Sequence, residues 1–169
     1  MKSSYETAIQ QDPEFFEAYI RLGAIYLSEG NPASIEYYRT AHELKPDIME
    51  AMYSLAYANQ QFDRIDEANL LYRNMLKDTS DFYVSQAYFQ LGFIKALHES
   101  PRDLDSAIYF YTNATEVNPH FHEAYFQLGF CYDQKGNMSV ALKNLGESLR
   151  LNPDYEPARQ FADSLKKLR

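Results

Sequence analysis

Apolar residues return along this chain at the spacing of one helix face. Tyr19, Leu22, Gly23 and Tyr26 fall at i, i+3, i+4 and i+7, a single stripe of an amphipathic helix. The segment that carries the stripe is copied. Ala18-Tyr19-Ile20-Arg21-Leu22-Gly23 returns as Ala87-Tyr88-Phe89-Gln90-Leu91-Gly92 and as Ala124-Tyr125-Phe126-Gln127-Leu128-Gly129. A fourth version, Ala51-Met52-Tyr53-Ser54-Leu55-Ala56, has Ala in place of Gly. Each copy is followed by a second segment opened by a small residue: Ser34, Ala68, Ala107 or Ala141. The pattern predicts ten helices and no sheet. First helices are expected near 14–29, 48–61, 82–98 and 120–135, second helices near 2–11, 32–45, 64–78, 103–117 and 138–151, and a closing helix near 154–167.

The local chemistry agrees with that alternation. Gly or Ala beside the Leu of the first helix lets a partner helix approach closely, and the small residue opening the second helix meets it from the other side. Gly30-Asn31-Pro32 and Gly136-Asn137 supply the cap and turn between paired helices. Pro46, Pro119 and Pro153 cannot continue the second helices and stop them, with Ser80 at the equivalent place in between. Ala41, Ala114 and Ser148 keep the second helices narrow further on, where Met75 is the exception. Ser34 and Ala68 stand 34 residues apart, as do Ala107 and Ala141, whereas Ala68 and Ala107 are separated by 39. The extra residues fall around Asp81-Phe82-Tyr83-Val84 and around His98-Glu99-Ser100-Pro101, at expected turns, where added length is tolerated.

A helix–turn–helix unit recurring near 34 residues resembles the tetratricopeptide repeat family, and the resemblance covers nearly the whole chain. It implies an all-α fold, a right-handed superhelix of antiparallel helix pairs in the manner of an α-solenoid. The expected organisation is a single array over 1–169. It comprises the second helix of a truncated repeat (1–13), repeats at 14–46, 47–80, 81–119 and 120–153, and a charged capping helix at 154–169. In this family the first helices line a concave face that binds extended peptides. The positions of this chain that match are the i, i+4 pairs Ile20 and Ala24, Tyr53 and Tyr57, Phe89 and Phe93, and Phe126 and Phe130. Glu17, Glu50, Gln86 and Glu123 lie one turn earlier, with Arg21, Ser54, Gln90 and Gln127 alongside. Members of the family that grip acidic tails carry Lys, Arg and Asn at such places. Here Arg21 is the only base among aromatics and acids, which argues against that subtype.

Charge narrows the partners further. A net charge of −8 repels phosphate backbones, and no basic stripe interrupts it, so nucleic acid is not expected. The bases of Lys166-Lys167-Leu168-Arg169 suit the end of a helix by complementing its dipole. No apolar run is long enough to cross a membrane, and Met1–Glu6 lacks the apolar stretch of a signal peptide.

Candidate chemistry is sparse. His120-Phe121-His122 sits in a turn without a second acid or thiol at ligand spacing, so no metal is expected there. His98 and Glu99 with Asp103 and Asp105 would suit a cation on charge alone. An inserted turn calls for polar residues in any case, and acids at a helix start are expected on dipole grounds. Cys131, the single cysteine, lies between Phe130 and Tyr132 on a helix packed on both sides and reads as a buried, inert thiol. Neither a nucleophile in a strand–turn–helix frame nor a glycine-rich phosphate loop occurs, so no enzyme and no cofactor are expected. The expected function is a scaffold that binds a protein or an extended peptide rich in apolar and basic residues. The alternative is an assembly module that packs, or self-associates, through the N-terminal helix carrying Tyr5, Ala8 and Ile9.

Overall fold

The computed structural model describes residues 2–97 and 102–167. Among the described residues are ten α-helices and no strand. They are α1 (Lys2–Gln11), α2 (Phe16–Ser28), α3 (Ala33–Leu44), α4 (Met49–Gln61), α5 (Ile65–Met75), α6 (Asp81–Leu97), α7 (Leu104–Val117), α8 (His122–Gln134), α9 (Met138–Leu151) and α10 (Glu156–Lys167). All ten lie where the repeat pattern puts them, with ends shifted by the few residues over which helix termini usually vary. The contacts divide into two compact units, residues 1–78 and 79–169. Within each unit a helix packs chiefly on its neighbours in sequence, the arrangement of stacked repeats.

What brings each pair together is a notch. A Cβ added at Gly23 would come within 2.7 Å of the Tyr38 ring, and one at Gly92 within 2.8 Å of the Tyr111 ring. At Gly129 the obstacle is Leu145 Cγ, at 2.8 Å. The first helix thus has a strip without side chain, and a large residue of the second helix lies in it. That residue stands four after the small one opening the second helix, so Ser34, Ala107 and Ala141 lie one turn below the ring or leucine, each fully buried. In the second repeat Ala56 takes the glycine's place, and Tyr72 is fully buried there. The core of the first unit follows from these contacts and includes Ile20, Ile35, Tyr38, Ala51 and Leu55.

The turns are closed by backbone chemistry readable in the sequence. Gly30 and Gly136 have φ of +65° and +75°, which lets the next amide bond back into the helix just ended. Those amides, Asn31 N–H and Asn137 N–H, donate to the carbonyls of Tyr26 and Tyr132 at 2.8 Å. Asp63 takes the same left-handed conformation with φ of +60°, and Arg64 N–H donates to the Asn59 carbonyl at 2.9 Å. Asp103 caps α7 through a bond from Ser106 N–H at 3.0 Å, and the Ser106 hydroxyl first, with that amide, holds its carboxyl below the usual value. Asp105 pairs with Lys135.

One expectation changes. The insertion at Asp81–Val84, placed at a turn by the spacing, belongs instead to the helix expected near 82–98. It is wound into α6, which has 17 residues against 13 in α2, α4 and α8. Val84 and Ser85 are buried, so the added turn has a core to pack on. The insertion around His98–Pro101 lies outside the described residues, as do His98 and Glu99 of the cation candidate.

The notch sets the first prediction. Gly92→Ala should lower stability by about 1–2 kcal/mol, because the overpacking cost exceeds the roughly 1 kcal/mol gain in helix propensity. Gly146→Ala, where an added Cβ meets nothing within 4 Å, should raise it by up to about 1 kcal/mol. Urea unfolding of both variants checks the pair, and equal effects would refute the notch. The second prediction concerns alkali. Burial, helped by the charge of Glu50, pushes the Tyr38 hydroxyl from 10.0 up to about 12, and burial also holds Tyr72 and Tyr111 high. A group whose pKa is raised by folding stabilises fully below its unfolded value and loses that contribution as pH climbs toward the folded value. Stability should therefore fall from about pH 10 upward, by about 1.4 kcal/mol per pH unit for each tyrosine still neutral in the fold. Tyr38→Phe should flatten the decline between pH 10 and 12, read from urea midpoints.

Candidate peptide-binding face

The first helices carry the candidate residues, and the two units use them differently. In the first unit, Arg21, Ala24 and Glu50 are exposed, while Tyr53 and Tyr57 are half-buried and stack at 6.3 Å between ring centroids. Ile20 is 6% exposed and belongs to the core with Ile35 and Tyr38, so its side chain supports the face from beneath. Tyr53 also tilts against Tyr72 at 6.0 Å, which ties the tyrosine pair to the notch of its own repeat.

Two clefts flank the exposed side of α2. One, of about 400 Å³, lies between α2 and α4, where Leu27, Tyr38, Tyr57 and Phe62 form its apolar lining with Ala24 and Ser28 at its edge. The other, of about 410 Å³, is lined by Tyr5, Arg21, Ala24, Ile25 and Ser28. Ala24 and Ser28 border both, so the clefts meet along one small-residue ridge. The charged residue of the two linings is Arg21. Arg21 is held by Glu17 at 2.9 Å along the same helix, and Glu50 lies near enough to the Tyr38 hydroxyl for its charge to raise that group's pKa.

In the second unit the candidate rings are half-buried and already engaged. Phe89 packs on Phe121 at 4.9 Å and on Tyr111 at 5.5 Å. Phe126 meets Tyr155 at 5.5 Å and Phe161 at 6.3 Å, and Phe130 meets Phe161 at 6.0 Å. The closing helix α10 therefore covers part of the row. Phe93, Gln86, Ser54 and Gln127 are half-buried and Gln90 is buried. Glu123 is half-buried beside His122, whose Nε2 lies 3.4 Å from the carboxylate and 3.2 Å from Asn152 Nδ2. Those partners and the T-shaped contact of His122 on Tyr155 engage Nε2 and the ring face, while Nδ1 is buried without a hydrogen bond among the described residues. Cys131 is fully buried, and burial pushes its thiol up to about 11.

Sequence reasoning missed two sets of residues. Leu27, Tyr38 and Phe62 line the cleft between α2 and α4, although none stands in the i, i+4 groove pattern. Tyr38 was within reach, since it lies one turn after the small residue opening α3. The second set, Tyr155 and Phe161, was hidden by the charge of the closing segment. Its apolar positions Ala158, Ala162 and Leu165, all buried, mark a helix face that packs.

Residues 122–155 and residues 4–36 match models described as tetratricopeptide repeat. Among curated proteins, the chain is 29% identical to an antiviral innate immune response effector, IFIT1, of Macaca fascicularis over 90% of its own length. It spans 30% of that relative. Among solved structures, MamA superposes with a TM-score of 0.74 at 26% identity, covering 90% of this chain and 86% of that one. The hetero-tetramer of the APC/C proteins Cut9 and Hcn1 gives a TM-score of 0.77 over 96% of this chain and 32% of that one, at 18% identity, a likeness of fold.

Proposed function

The chain belongs to the tetratricopeptide repeat family, and on that premise we propose that it is a protein-binding scaffold that takes an extended peptide on the face of its first helices. The observation that carries this reading is the pair of clefts meeting along Ala24 and Ser28. Together they offer two apolar side chains of one extended strand a place on either side of a low ridge. Such a layout suits aromatic or aliphatic anchors with polar contacts around them. The chain's net charge of −8, and Glu50 near Tyr38, favour a basic residue next to an anchor, where charge steers association more than it adds affinity.

No catalysis is part of the proposal. The single thiol is buried and held neutral, and His122 meets Asn152 and Glu123 through Nε2 and Tyr155 through its ring, with Nδ1 closed off by burial. A second reading draws on α1, which holds no buried residue and leaves Tyr5, Ala8 and Ile9 half-covered. In that reading another chain packs on α1. It differs in what it predicts, since mass would rise with concentration or with an added partner independently of the clefts.

The test begins with peptides selected from a random library on the purified chain. Ala24→Arg fills the ridge between the clefts from an exposed position, so thermal stability should stay unchanged. It should weaken the selected peptides about thirtyfold, the equivalent of losing one anchor worth roughly 2 kcal/mol. Tyr57→Ala should weaken them comparably. Glu50→Gln should cost only a few-fold, and that difference should shrink in salt. Peptides that bind Ala24→Arg and Tyr57→Ala as tightly as the parent chain would overturn the first-helix face as the site. Phe89→Ala and Phe126→Ala, whose rings pack on other aromatics, should lose thermal stability together with affinity.

A further inference from the structure

The two notch tyrosines of the first unit end in different surroundings. Tyr72, in the second repeat, donates its hydroxyl to Gln60 Oε1 at 2.9 Å, and both residues are buried. Gln60 stands nine after Ala51 on the first helix of its repeat. Nine after Ala18, the same place in the preceding repeat, stands Leu27. Tyr38 is the counterpart of Tyr72, four after the small residue that opens its helix. The amide that serves Tyr72 is therefore missing from the repeat of Tyr38.

Tyr38 is 5% exposed and makes no hydrogen bond among the described residues. The Tyr111 hydroxyl also lacks a partner, and it is sealed in the core. The Tyr38 hydroxyl is not among the sealed atoms, so the little surface that Tyr38 keeps includes its oxygen. The opening beside it is the cleft of about 400 Å³ between α2 and α4, which Tyr38 lines with Leu27 and Phe62. Gln61, exposed on the rim, makes no bond to it. Because the ring lies against the backbone at Gly23, the hydroxyl is positioned before any ligand arrives.

Resting on the first-helix reading and refining it at one of its two clefts, we propose that the cleft between α2 and α4 takes a glutamine side chain of the bound peptide, whose amide oxygen accepts from the Tyr38 hydroxyl. The peptide supplies in trans what Gln60 supplies to Tyr72 in the next repeat. Its methylenes lie on the apolar walls, Leu27 and Phe62. A purely apolar side chain suits those walls but covers the hydroxyl and returns no bond, which costs affinity. A glutamate carries the oxygen, but it is repelled by Glu50, whose charge is felt at this hydroxyl, and by the net charge of −8. A lysine is drawn to Glu50, yet it has no acceptor to offer the hydroxyl. The glutamine belongs to a separate partner, because two chains of net charge −8 repel each other.

The test uses the peptides selected from a random library on the full chain. Among those that Ala24→Arg weakens, one fixed position should be enriched in glutamine. Replacing that glutamine with methionine, glutamate or lysine in a synthetic peptide should weaken binding about tenfold, read by fluorescence anisotropy. Tyr38→Phe removes only a hydroxyl that bonds nothing in the fold. Its melting temperature should hold, while the glutamine and methionine peptides come to bind it equally. Leu27→Gln places the amide in cis, as in the second repeat, and should also erase the preference. Tyr38→Phe decides the matter if that variant does not fold. Three results would overturn the proposal and leave the first-helix face standing: selection without glutamine enrichment, a methionine or lysine form that binds as tightly as the glutamine form, or a preference that survives Tyr38→Phe. Peptides indifferent to Ala24→Arg would remove the face itself, and this proposal with it.

Discussion

The constraint on which the molecule depends is the distance between two paired helices. Helix axes approach closely only where side chains on one side are small, and here that place is fixed at Gly23, Gly92 and Gly129. The space is taken by one large residue of the partner helix, Tyr38, Tyr111 or Leu145. Because the ring or leucine lies against backbone, its helix can neither slide nor rotate without losing the contact. The small residue one turn before it, Ser34, Ala107 or Ala141, then has a fixed place, and the register of the pair follows.

A tyrosine in that notch brings a polar group into the core, and the repeats answer it differently. Tyr72 donates its hydroxyl to Gln60 Oε1 at 2.9 Å. In the next copy Ala96 stands where Gln60 stood, and the buried Tyr111 hydroxyl has no partner among the described residues. Tyr38 sits beside the cleft between α2 and α4 and feels the charge of Glu50. The fourth copy avoids the problem with Leu145. The notch is therefore conserved between repeats in shape, while its polar surroundings vary, and the variation reaches the surface through Tyr38. Core packing and the candidate peptide face are linked by that one side chain.

This explains which parts of the structure were legible beforehand. Helix positions were readable because the notch demands a small residue at a fixed place in every copy, and Gly30 and Gly136 at positive φ end helices for a reason local to the chain. The insertion at Asp81–Val84 was read as lying at a turn even though the first helix was expected near 82–98, and burial of Val84 and Ser85 decides for the helix. Ring exposure was not readable from spacing. Phe126 and Phe130 repeat the i, i+4 pattern of Tyr53 and Tyr57, yet Phe161 of α10 covers them in part. Counting charges concealed that contact, because charged residues dominate a segment whose inner face is Ala158, Ala162 and Leu165.

The same distinction between a helix and its neighbours governs the charges. The basic residues near the candidate face and on the second helices are mostly spent within their own helix: Arg21 on Glu17, Arg39 on Glu36 and Arg150 on Glu147. Exposed pairs of this kind contribute little to stability. Their effect is on what remains. Each pair removes a base from circulation, and with 24 acids against 16 bases the unpaired surplus is carboxylate. Glu50 belongs to that surplus, and its charge reaches the Tyr38 hydroxyl, whose ring lines the cleft between α2 and α4. A partner that fills the cleft with an apolar side chain and offers Glu50 a base meets both demands at once. One that offers no base forgoes only that attraction, which between exposed groups is small and screened by salt.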